Sequence, residues 1–116
     1  GWNAPDEVFA EFENFLNSVK ERLPKTMIFA ISIQPSPSRF DQRPRQQKWN
    51  ESVRNLAKME DNLVFVDVSP PMLSADDKPR SELYTDDMLH MNEKGYKIWT
   101  KLVRINLKKY FPEDFL

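Results

Sequence analysis

Cysteine is absent from the 116 residues, glycine occurs only at Gly1 and Gly95, and the single histidine is His90. Without cysteine there is neither a disulfide framework nor a thiolate metal site. The compartment stays open, because oxidising compartments also hold cysteine-free proteins. Two glycines leave no room for a Gly-x-Ser-x-Gly elbow. Charge of one sign is lacking too: 17 basic against 18 acidic residues give a net charge of -1. No whole-molecule field therefore collects nucleic acid or pins the chain on anionic lipid. The longest apolar runs, such as residues 27–33, are far too short to span a bilayer, and the first residues lack the basic and apolar regions of a signal peptide. A start of Gly1-Trp2-Asn3, without methionine, suits a processed, tagged or truncated product. Localisation follows from none of this.

What is present is an ordinary globular composition, 40% hydrophobic and 30% charged, enough for one domain at most. Pro5 suits a first helical turn, Asp6 and Glu7 favour the positive end of a helix dipole, and Val8, Phe9, Phe12, Phe15, Leu16, Val19 and Leu23 recur at threes and fours. That predicts an amphipathic helix ending at Pro24. Residues 27–33, MIFAISI, form a nearly continuous apolar run, as expected of a parallel strand buried on both faces. The prolines of Gln34-Pro35-Ser36-Pro37-Ser38 require a loop. Trp49, Val53, Leu56 and Ala57 mark a second helix over residues 43–60, and residues 63–68, LVFVDV, repeat the buried-strand pattern. Strand, helix and strand make one right-handed crossover with parallel strands. Residues 69–86 show no periodicity, a long connection of the kind that is either functional or disordered. Asn92 offers an N-cap to a last helix striped by Tyr96, Trp99, Leu102, Val103 and Tyr110.

Two strands cannot complete a parallel sheet buried on both faces. The expectation is an α/β chain, ordered helix-strand-helix-strand-long loop-helix, forming the C-terminal portion of a larger three-layer domain. The other expectation is self-association across the open sheet edge.

Asp87 and His90 are the residues best placed for chemistry. An imidazole is the usual general base at neutral pH, and a carboxylate on its Nδ1 side fixes the tautomer and stabilises the imidazolium. A spacing of three lets one turn supply both, and the site of an open parallel sheet lies beyond the carboxyl ends of the strands. There the loop after Val68 and the Pro-Ser-Pro-Ser loop should share one crevice. On spacing alone the plainer reading is a capping aspartate beside a surface histidine. A metal reading of Asp86, Asp87 and His90 needs a further ligand from elsewhere, and no metal or cofactor is expected.

The wider context favours chemistry. Asp87-Met88-Leu89-His90-Met91-Asn92-Glu93-Lys94-Gly95-Tyr96 resembles the closing block of SGNH or GDSL-like serine hydrolases. The resemblance extends through Ala4-Pro5-Asp6-Glu7-Val8-Phe9, Ile31-Ser32-Ile33-Gln34-Pro35-Ser36-Pro37-Ser38-Arg39, Val66-Asp67-Val68 and Pro79-Arg80-Ser81-Glu82-Leu83-Tyr84. It covers essentially the whole chain and points to the bacterial GDSL-type lipase or acylhydrolase branch. It implies a flavodoxin-like αβα sandwich, with Asp87 as orienting acid and His90 as base. The family's nucleophilic serine lies in an N-terminal Gly-Asp-Ser block, and its oxyanion donors are that serine's N-H, a glycine and an asparagine. None of these can be placed in this sequence. Asn3 stands next to a helix start, where capping is its plainer role. Ser36 and Ser38 lack a nucleophile's sequence context.

The expected function is that of a serine esterase or acylhydrolase acting on an ester or acylated small molecule, with the isolated chain inactive. The alternative is a non-catalytic interaction module derived from a hydrolase half. Pro35, Ser36, Arg39, Met88 and Leu89 are the candidate substrate-binding residues. Arg39, Arg43, Arg45 and Lys48 form a local basic group that reads either as an anion-holding patch or, more plainly, as a solvated helix face. Trp49 and Trp99 read as packing residues.

Overall fold

The computed structural model describes residues 5–115. Three α-helices and two strands follow one another as α1 (Pro5–Arg22), β1 (Ile28–Ile31), α2 (Arg43–Ala57), β2 (Leu63–Val66) and α3 (Glu93–Tyr110). The capping reading of Asn3 falls outside the described residues. The strands pair side by side. Ile28 N-H donates to Asn62 O at 2.8 Å and Ser32 N-H to Val66 O at 2.9 Å, so both strands advance by four residues together, as a parallel pair must. The element order is the one the sequence predicts, and the fold is α/β.

The residues group into two compact units, one of residues 5–30 with Pro44–Phe65, the other of Ile31–Arg43 with residues 66–115. In the first, Leu16, Leu56 and Leu63 form a buried cluster against which Phe9, Phe12, Ile28, Ala30 and Ala57 pack. Trp49 sets its ring edgewise to Phe9 and Phe12, at centroid separations of 6.0 and 5.8 Å, and so takes the packing role expected of it. Only part of the α1 stripe is covered, for Phe15 and Leu23 remain exposed.

Both strands are shorter than their apolar runs. β2 stops at Val66 because side chains take the next backbone donors: Val68 N-H donates to Ser32 Oγ at 2.9 Å and Ser69 N-H to Asp67 Oδ1 at 3.0 Å. β1 is only half-buried along its length, in contrast to β2. The expectation of two strands buried on both faces therefore holds for one strand, because the apolar pattern records what a strand is suited to meet and not what is present to cover it.

The second unit is built on Val66, Val68, Met72, Leu83, Tyr84 and Met91, all buried. Residues 69–86 are ordered by their own hydrogen bonds. Short 3-10 turns at Pro70–Met72 and Ser81–Leu83 flank a bridge between Leu73 and Pro79. Arg80 ties the strap down, its N-H donating to Met72 O at 3.0 Å and its Nη1 to Pro71 O at 2.8 Å. A second bridge, between Tyr84 and Met91, closes the segment that carries Asp87 and His90.

Asn92 caps α3 as expected: its Oδ1 accepts from Gly95 N-H at 3.1 Å. Gly95 allows a close approach, since a Cβ there would lie 2.5 Å from Leu83 O and 3.0 Å from the Met91 Cβ. Leu83 O also accepts the Asn92 N-H at 2.9 Å, so it cannot retreat without breaking that bond. Gly95→Ala should therefore destabilise the protein by about 1–3 kcal/mol, although alanine is the better helix former by about 1 kcal/mol. Thermal unfolding decides this, and a raised melting temperature would show that α3 can shift to accept the methyl.

Candidate active site

Asp87 and His90 lie on a tight turn between the Tyr84–Met91 bridge and the start of α3. Inside the turn, Met88 N-H donates to Thr85 O and Thr85 N-H to His90 O, both at 2.8 Å. The peptide after Asp87 is turned by Met88, which holds a left-handed φ of 56°. Such a conformation disfavours side chains branched at Cβ. Met88→Gly is accordingly expected to leave stability within about 0.5 kcal/mol, whereas Met88→Val should cost about 1–2 kcal/mol in chemical denaturation. Equal effects of the two would dispose of the strain argument.

His90 Nδ1 lies 2.5 Å from Asp87 Oδ2. The other carboxylate oxygen, Oδ1, accepts three hydrogen bonds: from Thr85 Oγ1 at 2.7 Å, from Leu89 N-H at 2.9 Å and from His90 N-H at 3.0 Å. The imidazole first, then the backbone and Thr85 donors, hold the Asp87 carboxyl far below the usual carboxylate range, so at neutral pH it is an anion. That bond directs the Nδ1 proton to Asp87 and leaves Nε2 as the acceptor nitrogen. The side chains are 72% and 48% exposed for His90 and Asp87. An imidazole so exposed, with its Nδ1 side fixed by a carboxylate, is able to accept and return a proton at Nε2. Among the described residues no group of three or more His, Asp or Glu side chains is arranged to hold a metal ion.

The loop after β1 reaches the same turn. Ser38 N-H donates to Met88 O at 3.0 Å, and the buried Tyr84 hydroxyl donates to Pro35 O. Burial pushes the Tyr84 phenol up to about 12, the nearby Arg43 charge opposing it, so it remains a donor over the physiological range. The loop after β2 joins through Ser69 Oγ, which lies 3.4 Å from both Ser32 Oγ and Ile33 O. Hydrogen bonds thus join the loop after β1 both to the turn of Asp87 and His90 and to the loop after β2.

The five candidate substrate-binding residues divide. Arg39 and Met88 are exposed and Leu89 is half-buried, whereas Pro35 and Ser36 are buried. Ser38 is exposed. Arg43 leaves the supposed basic group: it is buried, its Nη1 donates to Ile33 O at 3.2 Å, and burial holds its guanidinium below the usual value, with the Asp67 charge opposing. Sequence reasoning missed Thr85, Tyr84, Ser32 and the second role of Asn92, whose Nδ2 donates to Glu82 O at 2.8 Å and Tyr84 O at 3.1 Å. Only Thr85 carried a local signal, a hydroxyl two residues before an aspartate.

The chain thus combines an α/β fold with an exposed imidazole and carboxylate on one turn. The chain belongs to the GDSL-like lipase/acylhydrolase family, whose model matches residues 1–98. No curated protein matches it. Among solved structures, one from Streptococcus pneumonia, provisionally described as a platelet activating factor, is 27% identical with a TM-score of 0.73, over 91% of this chain and 51% of that one. Another, provisionally described as an acylhydrolase from Bacteroides fragilis, has a TM-score of 0.77 at 21% identity, over 95% of this chain and 54% of the other. The chain spans about half the length of these two structures.

Proposed function

We propose that the chain is the C-terminal portion of a single serine hydrolase domain in which Asp87 and His90 are the acid and base of a Ser-His-Asp triad. The observation that carries this reading is the 2.5 Å contact of His90 Nδ1 with Asp87 Oδ2 in a ring that is 72% exposed. His90 Nε2 takes the proton of a serine hydroxyl as its oxygen attacks an ester carbonyl. It then returns that proton to the departing alcohol, leaving an acyl-enzyme. Water, deprotonated in the same way, releases the acid. Met88, Leu89 and Arg39 face the substrate, while Pro35 and Ser36 shape the wall from within. No cofactor takes part.

The serine and the oxyanion donors come from sequence outside these 116 residues, which contain no Gly-Asp-Ser block. The isolated chain is therefore inactive, for a base without nucleophile or oxyanion donors supplies little of the rate. The test is to mix the chain with the nucleophile-bearing N-terminal portion of its parent reading frame and to follow cleavage of a chromogenic ester. Activity in the mixture and none in the chain is the expected result. Labelling of the chain alone by a fluorophosphonate, abolished by replacing one internal serine, would overturn it.

Exposed Phe15 and Leu23 on α1, and Tyr96 and Ile105 on α3, favour a second reading, a hydrolase half retained as an interaction module. A stable complex with the added portion, without ester cleavage, would select it.

A further inference from the structure

We propose that Thr85 is the positioning residue of this site, its hydroxyl aiming the Asp87 carboxylate so that Oδ2 meets the imidazole. The proposal rests on the acid and base reading of Asp87 and His90. All three polar groups of Thr85 are engaged in the one turn: its N-H with His90 O, its carbonyl with Met88 N-H, and its Oγ1 with Asp87 Oδ1 at 2.7 Å. The first two bonds are made by backbone and are open to any residue except proline. The third needs a hydroxyl.

An aspartate side chain has two rotatable bonds, and its two oxygens are chemically equal until neighbours distinguish them. Leu89 N-H and His90 N-H reach Oδ1 from residues that follow Asp87. The Thr85 hydroxyl is the donor from the preceding side of the chain. With donors from both sides on Oδ1, the carboxylate is held against rotation, and Oδ2 is the oxygen left for Nδ1. With the Asp87 side chain 48% exposed to water, hydrogen bonds rather than tight packing orient its carboxylate. Imidazole orientation in turn decides which ring nitrogen is bare, and only a bare Nε2 can serve as the base.

The single histidine makes the test direct, because chain labelled with 15N-histidine shows one imidazole. The 15N shifts of the neutral ring report which nitrogen holds the proton, and the 13C shift of the Asp87 carboxyl reports its titration. The wild-type chain should carry the proton on Nδ1. In Thr85→Val, isosteric but without a donor, the ratio of the Nδ1-H to the Nε2-H form should fall about three- to tenfold, as expected for loss of one hydrogen bond of ordinary net strength. The Asp87 midpoint should rise with it, and Thr85→Ser should restore both. Thr85→Ala keeps the backbone bonds and should behave as Thr85→Val does. Unchanged tautomer and midpoint in either folded variant would overturn the proposal, as would a Thr85→Ser chain that fails to restore them. Unfolding of both the valine and alanine variants, with the serine variant intact, would also overturn it by making the hydroxyl a structural tie. A wild-type ring protonated on Nε2 would instead refute the acid and base reading. A wild-type ring protonated on Nδ1 that neither variant moves refutes the role of Thr85 alone.

Discussion

If the proposed triad operates, His90→Ala should lower ester cleavage by the mixed halves by about 10⁴- to 10⁶-fold in kcat, while leaving their assembly intact. His90 carries the only imidazole in the sequence, and an imidazole is the usual general base for a serine hydroxyl. Its removal leaves the nucleophile unactivated, whereas substrate contacts and oxyanion donors persist. Asp87→Asn probes the same machine differently. The asparagine amide can rotate to accept from the imidazole or to donate to it, so the ring loses its enforced tautomer and the imidazolium loses its counter-charge. A loss on the order of 10⁴ is expected. In the proposed triad Asp87 and His90 act as a unit, so the double variant should lose little more than His90→Ala alone. Steady-state kinetics on the mixed halves, with complex formation checked by analytical ultracentrifugation, gives the answer. A His90→Ala complex within tenfold of the wild type would end the triad reading. Since the ring is 72% exposed, this substitution removes little packing, and a loss of activity cannot be ascribed to unfolding if the melting temperature holds.

Asn92→Ala should have the largest effect on stability of any change at the edge of the site, about 2–4 kcal/mol. One side chain serves three backbone groups. Its Oδ1 caps α3 at Gly95 N-H, and its Nδ2 donates to Glu82 O and Tyr84 O. The cap alone is worth about 1 kcal/mol, and the remainder comes from two carbonyls left without their donor. Asn92→Asp separates the contributions, since it keeps an acceptor for the cap, adds favourable charge at the helix start and removes the Nδ2 donor. It should recover about half of the loss. Denaturant unfolding of the chain measures both, and a cost for Asn92→Ala below about 0.5 kcal/mol would mean that water replaces the side chain without penalty.

Elements were legible where a pattern repeats. The threes and fours of Phe9, Phe12 and Leu16 marked α1, Asn92 before Glu93 marked the start of α3, and the apolar runs at 28–31 and 63–66 marked β1 and β2. The ends of those strands were not legible. β2 ends because Ser32, 36 residues before Val68, takes the Val68 donor, and no local window contains both. The site divides in the same way. Asp87 and His90 are three apart, so one turn had to bring them close. Ser38 and Tyr84 join that turn, or the strap leading to it, through partners some 50 residues away, Met88 and Pro35. Arg43 read as a member of a surface basic group because charge normally seeks water, but the Ile33 carbonyl and the nearby Asp67 charge hold it inside.

By itself, then, the sequence determined the order of elements and the three-residue spacing of Asp87 and His90. Composition and short-range spacing are local properties that survive without a fold. Tertiary structure alone decided how much of the His90 and Asp87 side chains meets solvent, and which of Pro35, Ser36, Arg39, Met88 and Leu89 lie at the surface. Each of these depends on hydrogen bonds closed between distant segments, whose partners are chosen only when the chain has folded.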